Sequence, residues 1–246
     1  MNELKPLRGA GEHARRMKAA LVMAGSLAFA AAPLVVPFQG FDPDLFPVPQ
    51  RDPPVQPAGY AFAIWGPIYL WLLVSAGFGL VARSGSPAWD APRWPLLVSL
   101  LVGALWLAIA QVSPFWATLL IWAMLVSALL ALFRTPVSDR WLLRAPLALY
   151  AGWLTAASWV AVGLLGAGYA IGPGPDGWAV LSISGALGTA LLVQRSLGWG
   201  PTYTLALVWA LIGIAVANAG EAWALFALAI GGGVVLVISA GRATRS

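Results

Sequence analysis

Eight stretches of the chain are almost wholly apolar and are set apart by short polar segments: 19–36, 60–82, 95–113, 115–133, 145–169, 178–194, 201–219 and 222–240. A helix that crosses a membrane needs about 20 mainly apolar residues, and each stretch approaches or exceeds that length. No Asp, Glu, Lys or Arg falls inside any of them. The pattern predicts an all-α, polytopic transmembrane helix bundle of about eight spans. Ser113-Pro114 separates the third span from the fourth, a tight turn that the proline can start.

The polar segments test this parse. With the N-terminus inside, the cytoplasmic segments hold Lys5, Arg8, Arg15, Arg16 and Lys18, then Arg83 and Arg93. Arg134, Arg140 and Arg144 follow, then Arg195, and last Arg242 and Arg245. Thirteen of the fourteen basic residues thus lie on one side, and only Arg51 lies on the other. Acids do not sort. Glu3, Glu12, Asp90 and Asp139 fall inside; Asp42, Asp44, Asp52, Asp176 and Glu221 fall outside. Sorting of Lys and Arg alone is the positive-inside pattern. Residues 1–18 therefore read as a basic cytoplasmic N-terminus and 241–246 as a cytoplasmic tail, in a membrane expected to be a bacterial inner membrane. A second reading of the first span is open. A basic segment, an apolar run and Ala28-Phe29-Ala30 also resemble a cleavable signal, and cleavage would leave the other seven helices oriented the same way.

Composition narrows the class. Of 246 residues, 60% are hydrophobic and 9% charged, at a mean hydropathy of +0.82. A soluble domain carries roughly 25% charged residues, so ordinary cytosolic enzymes, secreted disulfide scaffolds and disordered tails are excluded. There is no cysteine, which removes disulfides, thiolate nucleophiles, iron–sulfur clusters and cysteine zinc sites. The single histidine, His13, sits in the polar N-terminus, so no metal site and no catalytic triad can be built on His. A net charge of +5 would suit nucleic acid. The orientation of the spans accounts for it better, and no nucleic-acid partner is expected. Proton relays and ion-coupled transporters use intramembrane carboxylates, and these spans have none. Glu221, at the external end of the last span, reads as an acid favoured by a helix N-terminus. No catalytic residue and no required cofactor emerge.

The longest external segment, 37–59, carries Pro37, Pro43, Pro47, Pro49, Pro53, Pro54 and Pro57 together with Phe38, Phe41 and Phe46. Proline fixes φ and lacks an N–H, so the loop reads as stiff and extended. Its apolar side chains suit a lid on the bundle; a plain spacer is the other reading.

Aromatic residues are what the interior offers. The second span begins Pro57-Ala58-Gly59-Tyr60-Ala61-Phe62-Ala63-Ile64-Trp65-Gly66-Pro67-Ile68-Tyr69. Phe62, Trp65 and Tyr69, at i, i+3 and i+7, share one helix face, and Pro67 is expected to kink the helix there. Tyr150, Trp153 and Ala157 repeat that spacing in the fifth span, with Thr155 nearby. Tryptophan in membrane proteins favours interfacial belts, which suits Trp89, Trp94, Trp116, Trp141, Trp178, Trp199 and Trp223. Trp65, Trp106, Trp122 and Trp153 lie mid-span and do not fit a belt. Core packing is one reading of them. The other is a π-rich pocket for a flat hydrophobic ligand.

At these residues the chain resembles the tryptophan-rich sensory protein/translocator protein (TspO/MBR) family. Pro57 to Tyr69 is similar to the second-helix signature of a longer branch of it. Tyr150-x-x-Trp153-x-Thr155-Ala156-Ala157 resembles the fifth-helix pattern, and Leu105-Trp106 the third-helix Leu-Trp. The resemblance covers about residues 19–168. It implies a five-helix core, 19–169, that binds tetrapyrroles such as porphyrin or haem, and in some members sterols, beneath the first external loop. It further implies roles in sensing, regulation or transport. Tyr60, Phe62, Trp65, Tyr69, Trp106, Tyr150, Trp153 and Ala157 would line or border that pocket. The chain departs from the family at Gly103 and Ala161, where members often carry Asn. It also has one residue fewer between the second-helix Phe and Trp, and a Tyr where short members often have Trp.

Three further helices, 178–240, lie outside the short-family core and are rich in small residues, including Ser182, Ser184, Gly185, Gly188, Gly213, Ala217, Asn218 and Gly231-Gly232-Gly233. Small residues let helices approach closely where lipid supplies no hydrophobic drive. The expected partners are the bilayer, a hydrophobic small molecule and, as a further option, a second copy in a homodimer. Two rival functions stay open: a permease for a small neutral solute, and a membrane enzyme acting on a porphyrin or isoprenoid.

Overall fold

A computed structural model of the chain describes residues 5–38, 40–136 and 138–243. Among them stand eight long helices and no strand: α1 Lys5–Val35, α2 Trp65–Val81, α3 Arg93–Ala110, α4 Pro114–Phe133, α5 Arg144–Gly168, α6 Gly174–Leu197, α7 Pro201–Ala217 and α8 Trp223–Ala243. Each coincides with one of the apolar stretches. Seven are long and apolar enough to cross a membrane, α2 when taken with the helical turn before it as Gly59–Val81; α7 is a shorter apolar helix. Its 17 residues rise about 25 Å, at the short end of what spans a bilayer. The turn at Ser113-Pro114 forms as expected. Ser113 is extended, its hydroxyl accepts from the Trp116 N–H, and Pro114 opens α4. The basic N-terminal segment is helical from Lys5 and continuous with the first span, while Glu3 and Arg245 lie outside the described residues.

The second span differs from expectation. Gly59–Ile64 is a 3-10 helix, and α2 proper starts at Trp65. Pro67 therefore falls in the first turn, where a missing N–H costs nothing, and no proline kink forms. What marks the place instead is a change of helix type at Trp65. α7 stabilises it: the Trp209 indole N–H donates to Ala61 O at 2.8 Å, and Ala58 N to Gly213 O at 3.0 Å. Gly213 is needed there, because a Cβ would lie 2.9 Å from both Pro57 and Ala61.

α5 is the axis of the molecule. It is buried on almost every side, against α4 and α2 on one flank and α6 and α7 on the other. α1 packs along α2 and α3, and α8 along α7 and α6. One hydrophobic core runs from Val22 and Phe29 in α1 to Leu236 in α8. The region expected as a five-helix core and the three helices after it are thus parts of one packed body.

The basic end is clasped by polar contacts. Lys18 pairs with Asp90 at 2.7 Å, and Arg83 with Asp139 at 2.8 Å. Arg93, 4% exposed, donates to the carbonyls of Arg15, Ser84, Arg83 and Gly79. A cation among the last carbonyls of α2 suits the negative end of that helix. Trp89, expected in the interfacial belt, is instead buried. Its indole N–H donates to Asp139 at 3.0 Å, and its ring lies over Gly79. Trp94, Trp116, Trp141 and Trp223 are exposed, as a belt requires. Trp178 is half-buried and donates to Ile171 O.

At the other end the 37–59 loop lies across the bundle as a lid. Val48 N donates to Gly168 O at 2.9 Å, Gln111 Nε2 to Pro37 O at 3.0 Å and Asn218 Nδ2 to Pro54 O at 2.8 Å. Phe46 is buried against Gly168, where a Cβ would collide with its ring.

Candidate functional site: a lidded aromatic cavity

Beneath the lid, the 3-10 segment, α3, α4 and α5 enclose a cavity of about 50 Å³. Phe62 comes from the 3-10 turn, Trp106 from α3, and Trp153 and Ala157 from α5, so four of the eight expected residues share its wall. Phe38 and Phe41 roof it, edge-on to Trp106 at centroid distances of 5.0 and 6.1 Å. Trp106 is locked by donation of its indole N–H to Ala117 O on α4 at 2.8 Å. Phe62 meets Trp153 edge-to-face at 6.1 Å. The Trp153 indole N–H, in a side chain only 2% exposed, has no partner.

The other four expected residues lie elsewhere. Trp65, Tyr69 and Tyr150 gather around Phe29 of α1, with centroids 5.8, 5.0 and 5.6 Å from its ring. Trp65 stacks on Tyr69 and touches Trp153 edge-on at 6.1 Å. This cluster backs Trp153 without lining the cavity. Ser99 donates to Met124 O at 2.8 Å, so the Tyr150 hydroxyl donates to Ser99 Oγ at 2.9 Å. Tyr60 is turned away, 45% exposed, with its ring against Trp209. Trp122 pairs with Trp159, whose indole N–H donates to Thr189 on α6; it too lies off the cavity.

Phe29 is the residue that sequence reasoning missed, having read it as part of a cleavage-like tripeptide. Its ring lies where a Cβ on Gly103 would sit, 2.5 Å from that position. This accounts for glycine at a position where the resemblance led to Asn being expected. Ala161, at the other such position, lines the cavity and leaves its wall apolar.

The family model described as TSPO-like protein matches residues 49–242. The chain belongs to the TSPO-like protein family. No curated protein and no solved structure matches it. The family match begins inside the lid loop and runs through α6, α7 and α8, so α1 lies outside it and the three C-terminal helices lie within it. A TSPO-like chain with these apolar helices is an integral, multi-pass membrane protein.

Proposed function

We propose that this TSPO-like protein binds a flat hydrophobic molecule beneath its lid and acts as a sensor or carrier, with no catalysis of its own. Phe62, Trp106, Trp153 and Ala157 contact the guest; Trp65, Tyr69 and Tyr150 hold Trp153 from behind. The observation that carries the reading is the aromatic cavity itself, with one buried indole N–H left without an acceptor. A buried donor without a partner costs about 1–3 kcal/mol, and a guest carbonyl, ether or ring nitrogen would remove that cost. A porphyrin-sized guest, the ligand class implied by the resemblance, needs more room than the cavity of about 50 Å³ offers, since such sites run to about 300–1,000 Å³. Binding therefore widens the cavity, and Phe38 and Phe41, the loop rings on its wall, are the side chains assigned to that movement. The positive-inside sorting supports an orientation with the clasped end and both termini in the cytoplasm of a bacterial inner membrane.

Tryptophan quenching by protoporphyrin, haem and a sterol, titrated into the purified protein in detergent, tests the reading. Saturable quenching that weakens at least tenfold in Trp153→Ala is expected. Unchanged affinity in a Phe62→Ala, Trp153→Ala double variant would remove the assigned cavity. Solute flux in proteoliposomes without saturable quenching would favour a permease.

A further inference from the structure

We propose that the basic end of the bundle carries a second binding site, independent of the aromatic cavity, for a glycerol phosphodiester such as the head group of an anionic phospholipid. A cavity of about 200 Å³ lies there between the end of α6, the start of α7 and the end of α8. Gln194 and Leu197 of α6, Pro201 and Thr204 of α7, and Ala240 and Gly241 of α8 line it. Gln194 is only 5% exposed. Its Nε2 donates to Thr204 Oγ1 at 2.8 Å and to Leu236 O at 3.3 Å. A carbonyl can only accept, so the bond to Leu236 fixes which end of the amide is nitrogen. The other end, Oε1, is buried without a partner. A lone buried acceptor on a residue of the wall calls for a donor from a guest.

The surroundings decide the sign of the guest. No acid is among the residues that line the cavity. Arg144 donates to the carbonyl of Leu197 at 2.9 Å, and the exposed Arg195 and Arg242 directly follow Gln194 and Gly241 in the chain. α7 also begins at this wall, with Gly200 as an N-cap that supplies no side-chain bond, and a helix start favours negative charge. An ammonium donor is therefore disfavoured, and a hydroxyl meets Gln194 without adding positive charge. Depth agrees. Trp199, between the lining residues Gly198 and Gly200, packs edge-on to the exposed Trp141 at 5.4 Å, and Arg140 lies 5.5 Å over its ring. Tryptophan gathers at the head-group level of a bilayer, where basic pockets between helices take anionic head groups. A glycerol unit inside the cavity would donate to Gln194 Oε1, leaving its phosphate at the rim among the arginines.

Native mass spectrometry of the full chain in non-ionic detergent tests this with four probes: phosphatidylglycerol, phosphatidylmethanol (the same charge without the hydroxyls), phosphatidylcholine and soluble glycerophosphoglycerol. Phosphatidylglycerol is expected to bind about fivefold more tightly than phosphatidylmethanol, the margin of a hydrogen bond to an otherwise unmet acceptor. Phosphatidylcholine should bind more weakly than either. Gln194→Leu removes the acceptor, and Ala240→Phe fills the cavity while the amide stays. Each should bring phosphatidylglycerol down to the level of phosphatidylmethanol, and Ala240→Phe decides the matter if Gln194→Leu fails to fold. Preference for the lipid over the soluble diester supports a membrane-lipid site; equal affinity for the two supports a site for the head group alone. Equal binding of phosphatidylglycerol and phosphatidylmethanol to the unaltered protein, or a preference that survives Ala240→Phe, overturns the proposal. Neither result touches quenching at Trp153, so the lidded cavity stands or falls separately.

Discussion

Trp106 and Trp153 face one cavity from two helices, yet only Trp106 has an acceptor for its indole N–H. The asymmetry makes a prediction about phenylalanine substitutions. Trp106→Phe loses a made hydrogen bond, a net cost of about 0.5–1.5 kcal/mol beyond the lost area. Trp153→Phe deletes a donor that was already unpaired, so part of its packing loss is offset. Thermal unfolding in detergent should show Trp106→Phe the more destabilised by about 1 kcal/mol or more. Ligand affinity should fall in both. The i, i+3, i+7 spacing made Phe62, Trp153 and Ala157 legible in the sequence, a mid-span position did so for Trp106, and these four do meet. It could not separate Trp153 from Trp65 or Tyr69, because that depends on Phe29 wedging between α2 and α3. Phe29 fits only because Gly103 has no side chain. Such a pairing of one large and one absent side chain, on helices distant in sequence, leaves no periodic trace.

Among the elements, the lid was readable from its prolines and three phenylalanines, since apolar rings in a loop must be covered. The change of helix type in the second span was not. Pro67 is a local signal, but the junction is held by Trp209, a partner 148 residues away. Trp89 taught the same lesson: its sequence context suits an interface, and Asp139 draws it into the protein. The lid yields a prediction of its own. Phe38→Ala with Phe41→Ala removes two rings from the mouth of the cavity, so bulky quenchers should associate faster while the helices stay folded by circular dichroism. The clasp at the opposite end predicts a pH response. Hydrogen bonds from Arg83 and then Trp89 hold the Asp139 carboxyl below its ordinary range. A carboxyl lowered by folding stabilises above its unfolded value, about 3.9, and loses that contribution as pH falls through the folded one. The melting temperature should therefore drop on acidification below about pH 4. Asp139→Asn should melt lower at neutral pH and respond less to acid.

The topology of the whole molecule was the most legible feature, because lipid forces every span to be apolar and charge sorts the ends. What the spans gave no hint of is that α5 ties both halves together. At Gly152 an added Cβ would collide with the carbonyl oxygen of Tyr203 on α7. Backbone is on the far side of that contact, so no rotamer change can relieve it. Flanking bonds hold the two helices at this spacing: Thr202 Oγ1 donates to Ala145 O at 2.8 Å, and the Tyr203 hydroxyl meets Thr155 Oγ1 at 2.9 Å. α7 also carries Trp209 and Gly213, which fix the 3-10 segment that bears Phe62. A methyl group at Gly152 should therefore act in two places. Gly152→Ala is expected to lower stability by about 1–3 kcal/mol through overpacking. It should also weaken quenching by the cavity ligand several-fold, although Gly152 does not line the cavity. Gly188→Ala on α6 is the matched control, since nothing lies within 4 Å of its added Cβ and alanine favours the helix. It should leave the titration unchanged and the melting temperature equal or slightly raised. If Gly152→Ala destabilises the bundle yet binds ligand normally, α7 does not set the position of Phe62, and the cavity belongs to the first five helices alone.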